Sequence, residues 1–298
     1  MADRNPEVDA EFAAPRFVTR MNYRHAFHAG NFADVFKHTV LALLLKSLAR
    51  KDAPFCYLDT HAGAGRYDLL NEAAQKTGEY RDGIERLWNN PPLSGLEDYL
   101  AAVRAMNPAG ILRYYPGSPA IARHLLRSQD RMVLVEQHPE EYERLKAEFA
   151  NDRRATVQRQ DGYAALKAFL PPREKRGLVL IDPPYESTDE YAQAVEGLRV
   201  AYARWSTGVY AIWYPIKDRA PIQGFHRQLT ASGIRKMLVA EFCPYPVDSA
   251  FRLNGSGIVI VNPPWQVDEV LDPLLPRLLE KLRRHPSGRA ELSWLVPE

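Results

Sequence analysis

The run Gly177-Leu-Val-Leu-Ile-Asp-Pro-Pro-Tyr185 carries the residues best placed to do chemistry. An apolar segment of strand character ends on a carboxylate, two prolines and a tyrosine. Proline has no backbone N–H for a sheet ladder, so the strand stops there. Asp182 and Tyr185 are left at its carboxyl end, the edge of an open α/β sheet where ligands bind. The chemistry that suits this set is methylation of an exocyclic amino group on a nucleobase. Such a nitrogen is a poor nucleophile because its lone pair is delocalised into the ring. The Asp182 carboxylate and the free carbonyl of Pro183 can each accept one amino hydrogen and localise that lone pair. Tyr185 offers a ring on which an extruded base can stack.

Other strand ends supply matching groups. Leu58-Asp-Thr-His-Ala-Gly-Ala-Gly-Arg66 is a glycine-rich turn in which Gly63 and Gly65 let the backbone approach a ligand. A dinucleotide G-x-G-x-x-G would need glycine at 68, where Asp68 stands, and a P-loop would need Lys at 66, where Arg66 stands. Glu136 ends a second apolar run, where a carboxylate can take both hydroxyls of a ribose. Asp161-Gly162 ends a third, where an acceptor can read an adenine amino group.

The elements that must position these groups are legible as seven strand-like runs: 54–60, 131–137, 155–161, 177–183, 208–215, 235–242 and 256–262. Helical periodicity separates most of them, as in 142–149, 163–169 and 188–204, the last with Thr188 as N-cap. This alternation predicts a parallel sheet covered on both faces. The last two runs lack a long helix between them and are expected to pair antiparallel, which is the class I methyltransferase architecture. Between the first and second strands, 66–117 reads as an inserted helical subdomain. Tyr80, Ile84, Leu87 and Trp88 share a helix face there, and Ser94 with Glu97 forms a capping-box pattern. The methyltransferase domain is then 21–65 with 118–298, and residues 1–20 read as a mobile extension.

The chain has 298 residues, 46% hydrophobic and 26% charged, with a net charge of only +2. A globally basic polyanion binder is excluded, so nucleic-acid contact must come from local patches. Candidates are Arg16, Arg20, Tyr23 and Arg24, and later Arg113, Tyr114 and Tyr115. Two isolated cysteines suit a reducing compartment, and neither a signal peptide nor a membrane span is evident, so a cytoplasmic protein is expected. His25, His28, His38 and His61 match no zinc signature, and no metal is expected.

Asn262-Pro-Pro-Trp265 rivals Asp182-Pro-Pro-Tyr185, since it too follows an apolar run. Its strand is expected to run the opposite way, which would put Asn262 on the far edge of the sheet, as a structural turn.

Four segments together resemble the RlmJ family of bacterial large-subunit (23S) ribosomal RNA adenine-N6 methyltransferases. They are Met21-Asn-Tyr-Arg-His-Ala-Phe-His-Ala-Gly-Asn-Phe-Ala-Asp-Val-Phe-Lys-His38, Tyr57-Leu-Asp-Thr-His-Ala-Gly-Ala-Gly-Arg-Tyr67, Tyr114-Tyr-Pro-Gly-Ser-Pro119 and Ile181-Asp-Pro-Pro-Tyr185. The resemblance spans about residues 21–298 and implies a Rossmann-like, monomeric, S-adenosylmethionine-dependent enzyme acting on rRNA. It further implies that His38, His61, Ser118, Glu136, Asp161 and Gly162 contact the cofactor, with Lys37 and Gly63 beside them. Asp182 would be catalytic and Tyr23 would touch the RNA. An adenine-N6 methyltransferase acting on DNA would share every catalytic residue and is the alternative. A nicotinamide-dependent oxidoreductase and a non-catalytic RNA-binding protein are more distant rivals.

Overall fold

All seven expected strands are present in the computed structural model, which describes residues 24–90, 93–247 and 253–298. Tyr23 and the extension 1–20 lie outside the described residues. The strands are β1 (Cys56–Asp59), β2 (Arg66–Asp68), β3 (Tyr114–Pro116), β4 (Arg131–Val135), β5 (Ala155–Gln158), β6 (Gly177–Ile181), β7 (Val209–Ile216), β8 (Met237–Cys243), β9 (Gly255–Val261) and β10 (Arg289–Val296). The main sheet has eight strands in the order β10-β8-β9-β7-β6-β1-β4-β5, which corrects the expected seven. The added strand, β10, pairs antiparallel with β8 at the edge, and its mixed exposure hides the alternation that marks a half-buried strand.

β1 lies between β4 and β6, parallel to both, and β6 is parallel to β7. β9 runs antiparallel to β7 and β8, as the missing crossover helix requires. The carboxyl ends of β1, β4, β6 and β7 therefore lie on one edge. Alternation along the strands divides the core. Tyr57, Leu178 and Leu180 pack under α1 (Phe32–Ala49) and the helix Val267–Leu282. Leu58, Val179 and Ile181 pack under the helices Gly162–Phe169, Asp189–Arg204 and Arg219–Ala231.

Segment 66–117 opens with β2 and closes with β3, a two-stranded antiparallel ribbon that periodicity did not show. Between them are short helices, and Tyr80, Ile84, Leu87, Leu96, Tyr99 and Val103 join the core that lies under α1. The expected continuous helix through Tyr80 and Trp88 is broken into a 3-10 turn, Glu79–Asp82, and a helix, Glu85–Trp88. Gly83 is the break. Its backbone lies against Gly30 and Asn31, and the Ile84 amide donates to the Gly30 carbonyl at 2.9 Å. The helix Glu97–Ala105 starts without a side-chain cap from Ser94; the Glu97 carboxylate instead accepts from the Gly95 amide at 2.8 Å.

A Cβ at position 83 would collide with the Gly30 carbonyl and the Asn31 backbone. Gly83→Ala should therefore lower the unfolding free energy by on the order of 1–3 kcal/mol, as overpacking does. Urea denaturation checks this, and a variant as stable as the parent would disprove the tight approach.

Candidate active site

One cavity of about 1100 Å³ opens at the carboxyl edge of β1, β4, β6 and β7. Lys37, His38, His61, Gly63, Ser118, Glu136, Asp182, Pro183 and Tyr185 all line it. Asp161 and Gly162 do not. Asp161 caps the helix Gly162–Phe169 by accepting from the Ala164 amide at 2.7 Å, while Gly162 is buried against the Thr60 carbonyl and His61. Asn262 lies at the opposite edge, donating to the carbonyls of Ser206 and Gly208 at 2.8 Å each. That is where a strand antiparallel to β7 must end.

The turn after β6 is held from below. Tyr185 has a left-handed φ of 51°, a conformation that costs a bulky residue energy. Glu190, on the following helix, accepts from the amides of Tyr185, Glu186 and Ser187 at 2.6, 2.8 and 3.1 Å. These bonds replace the expected cap from Thr188, whose side chain makes none. The Tyr185 ring is only 6% exposed, and its hydroxyl donates to the Trp213 carbonyl at 2.8 Å.

Asp182 meets α1. The Lys37 ammonium lies 2.6 Å from its Oδ2 and 3.2 Å from Asp34 Oδ1. Asp34 in turn takes the His25 Nε2 and the Gly30 amide, each at 2.9 Å. Burial pulls the Asp34 carboxyl upward, but the charges of His25 and Lys37 outweigh it and hold the group well below its usual range. Spacing gives this away in retrospect. Asp34, Lys37 and His38 share a helix face at i, i+3 and i+4, behind the N-cap Asn31, which accepts from Ala33 and Asp34.

On the other side of the cavity the glycine turn is shaped by its neighbours. Gly63 has φ 61°, and a Cβ there would meet the Tyr67 hydroxyl. Its amide donates to Glu136 Oε2 at 2.8 Å, and the His138 amide donates to Oε1 at 2.7 Å. Burial raises the Glu136 carboxyl against the pull of these two amides. His38 shares a 2.8 Å hydrogen bond with the Tyr115 hydroxyl, which in turn meets Tyr99 at 3.1 Å. Tyr115 is thus a buried partner of His38, not a surface aromatic. Burial pushes His38 down to about 3 and His61 to about 4, so both are neutral near pH 7.

Asp59 is a buried carboxylate beneath the cavity wall that the strand-end reading passed over. It ends β1 fully buried, accepting from Tyr57 and Ser118 hydroxyls at 2.7 Å each. Burial pushes it up to about 6 although both hydrogen bonds pull it down.

Among the described residues no group of three or more His, Cys, Asp or Glu is arranged to hold a metal ion. No helix there is long and apolar enough to cross a membrane.

The sheet order, with a glycine turn and an acid at neighbouring strand ends, defines the Rossmann-like fold of class I S-adenosylmethionine-dependent methyltransferases. The chain belongs to the family described as "Ribosomal RNA large subunit methyltransferase D, RlmJ", whose profile matches residues 52–296. It is 50% identical over 279 residues to the Escherichia coli (strain K12) protein named ribosomal RNA large subunit methyltransferase J, covering 93% of this chain and all of that one. The Haemophilus influenzae protein of the same name is 45% identical over 280 residues, again 93% of this chain and all of the relative. The solved structure of protein LPL1258 from Legionella pneumophila superposes with a TM-score of 0.82 at 37% identity, over 90% of this chain and 98% of that one.

Asp59 ionises at about 6 in the folded chain against 3.8 for an ordinary aspartate. The folded state holds the extra proton in that window, so this group's contribution to stability falls as pH rises from about 4 to about 6. Asp59→Asn removes the titration. The unfolding free energy of the parent relative to the variant should fall by up to about 3 kcal/mol over that range. A difference independent of pH in urea titrations would refute the assignment.

Proposed function

We propose that this chain transfers a methyl group from S-adenosylmethionine to the exocyclic N6 amine of an adenine in 23S ribosomal RNA. The observation that carries the reading is that Asp182, Pro183 and Tyr185 share one cavity with Glu136 and the Gly63 turn. The names of the E. coli and H. influenzae relatives support rRNA of the large subunit as the substrate. The chain's own residues fit the cofactor: Glu136 is fixed by two amides at the end of β4, positioned to accept ribose hydroxyls. Gly63 and the neutral His38 and His61 line the wall beside it.

When bound, S-adenosylmethionine supplies an electrophilic methyl carbon on a sulfonium. Everything else falls to the protein. With Oδ2 of Asp182 engaged by Lys37, Oδ1 accepts one amine hydrogen and the Pro183 carbonyl accepts the other. A carboxylate does not remove a proton from a neutral aromatic amine; Asp182 takes the proton as the nitrogen becomes cationic. Holding two substrates in line can supply up to ~7–11 kcal/mol of a barrier reduction. The Tyr185 ring bounds the adenine site, and Tyr23, Arg24 and segment 66–117 carry the surrounding RNA. Transfer from a sulfonium needs no metal, and every residue used belongs to one chain.

Three measurements test this. Labelled S-adenosylmethionine with deproteinised large-subunit rRNA from a strain lacking this protein should yield N6-methyladenosine on nucleoside analysis. Label in matched DNA instead would favour the DNA reading. In single-turnover assays Asp182→Ala should lose about 10²–10³ in rate, the scale of one preorganised electrostatic partner. Asn262→Ala should lose little, and the reverse order would move the site to the other turn. Glu136→Ala should weaken S-adenosylmethionine binding by roughly 1.5–3 kcal/mol in calorimetry, as loss of charge-assisted hydrogen bonds does. Unchanged affinity in the folded variant would remove Glu136 from the cofactor site.

A further inference from the structure

The cavity, at about 1100 Å³, exceeds the roughly 300–1,000 Å³ of an ordinary single-ligand pocket. Its wall beyond Asp182 is built by the end of β7, whose side chains alternate. Ile212, Tyr214 and Ile216 enter the core on one face. Trp213, Pro215 and Lys217 line the cavity on the other.

The pairing Ile181↔Ile212 sets Asp182 beside Trp213 across the parallel ladder. The Lys37 ammonium sits over the Trp213 ring, 5.2 Å from its centroid, and 2.6 Å from Asp182 Oδ2, so it covers part of one indole face while bridging ring and carboxylate. Ring and carboxylate therefore border the same small volume. The indole is braced from behind by the Tyr185 ring, edge-on at 5.9 Å. Tyr185 is nearly closed off, whereas Trp213 is half-buried and keeps surface toward the cavity. Lys217 follows four residues on, about 13 Å along the strand direction, and is exposed at the mouth.

We infer that this face of β7 is the seat of the acceptor nucleotide. Trp213 lies against the adenine whose amine meets Asp182, and Lys217 meets the backbone phosphate of that nucleotide. The inference rests on the proposed function and names two substrate-positioning residues beyond the Asp-Pro-Pro-Tyr turn. An indole face suits a purine, whose stacking on an aromatic side chain is worth ≈ 1–3 kcal/mol. A flexible ammonium suits a phosphate as a point charge.

The test uses the full chain, deproteinised 23S rRNA and saturating S-adenosylmethionine. Trp213→Leu should slow single-turnover transfer by about tenfold or more, Trp213→Phe should retain most of the rate, and both should bind S-adenosylmethionine as the parent does. Lys217→Gln should reduce the slope of log affinity for RNA against log salt by about 0.7, the share of one phosphate on a single strand. Parent-like transfer by Trp213→Leu, an equal loss of S-adenosylmethionine affinity, or an unchanged salt slope for Lys217→Gln would overturn the seat. Should Trp213→Leu fail to fold, the salt slope of the surface variant decides. A parent that transfers no methyl to rRNA would overturn the functional reading and the seat with it. A parent that transfers while Trp213→Leu matches it overturns the seat alone.

Discussion

The contact between Lys37 and Asp182 joins two parts of the chain 145 residues apart, and the rest of the site is arranged around it. Both side chains are largely withdrawn from water. A buried ion pair is tolerated only where further polar partners compensate its desolvation, and removing one member strands the other. Here compensation comes from Asp34, which faces the same ammonium and is itself held by His25 and the Gly30 amide. α1 thus has one axial position and one rotation in which its charges are satisfied. That rotation also delivers His38 to Tyr115 and places the start of α1 against Gly83 of segment 66–117.

The carboxylate would be of little use on a loose loop. Two prolines stop β6, and three backbone amides converge on Glu190, so the turn is fixed from the helix that follows it. The positive φ of Tyr185 is strain that such a turn can hold because the surrounding bonds over-determine it. The Tyr185 hydroxyl reaches the Trp213 carbonyl and ties the turn to the neighbouring strand. Three consecutive parallel strands, β1, β6 and β7, therefore present their ends as one rigid edge.

The opposite wall uses a different device. Glu136 is oriented by two amides, one of them from the glycine turn, so turn and carboxylate fix each other. Beneath them Asp59 receives two hydroxyls and links β1 to the start of the helix Ser118–Leu125. Histidines made neutral by burial complete the wall without adding charge.

The sequence by itself determined the strands and their ends, because β-branched runs closed by Pro, Gly and acids have few alternatives. It also determined the antiparallel β8–β9 pair, since no crossover helix separates those runs, and so which Pro-Pro turn lies on the cavity edge. The tertiary structure alone decided the partners. α1 buries 14 of its 18 residues, so no amphipathic stripe reports which face meets what. Nothing local announces that Lys37 reaches Asp182 across 145 residues. The bonds made by Glu190 and Asp161 are local, and Asp161 just ahead of its helix is an ordinary N-cap signal that the strand-end reading spent on a ligand instead. β10 and the β2–β3 ribbon escaped for a related reason: they are short or partly exposed, and only pairing with distant strands makes them strands at all. Periodicity records which face of an element is buried, whereas buried charges find their partners through space, and that information exists only once the chain has folded.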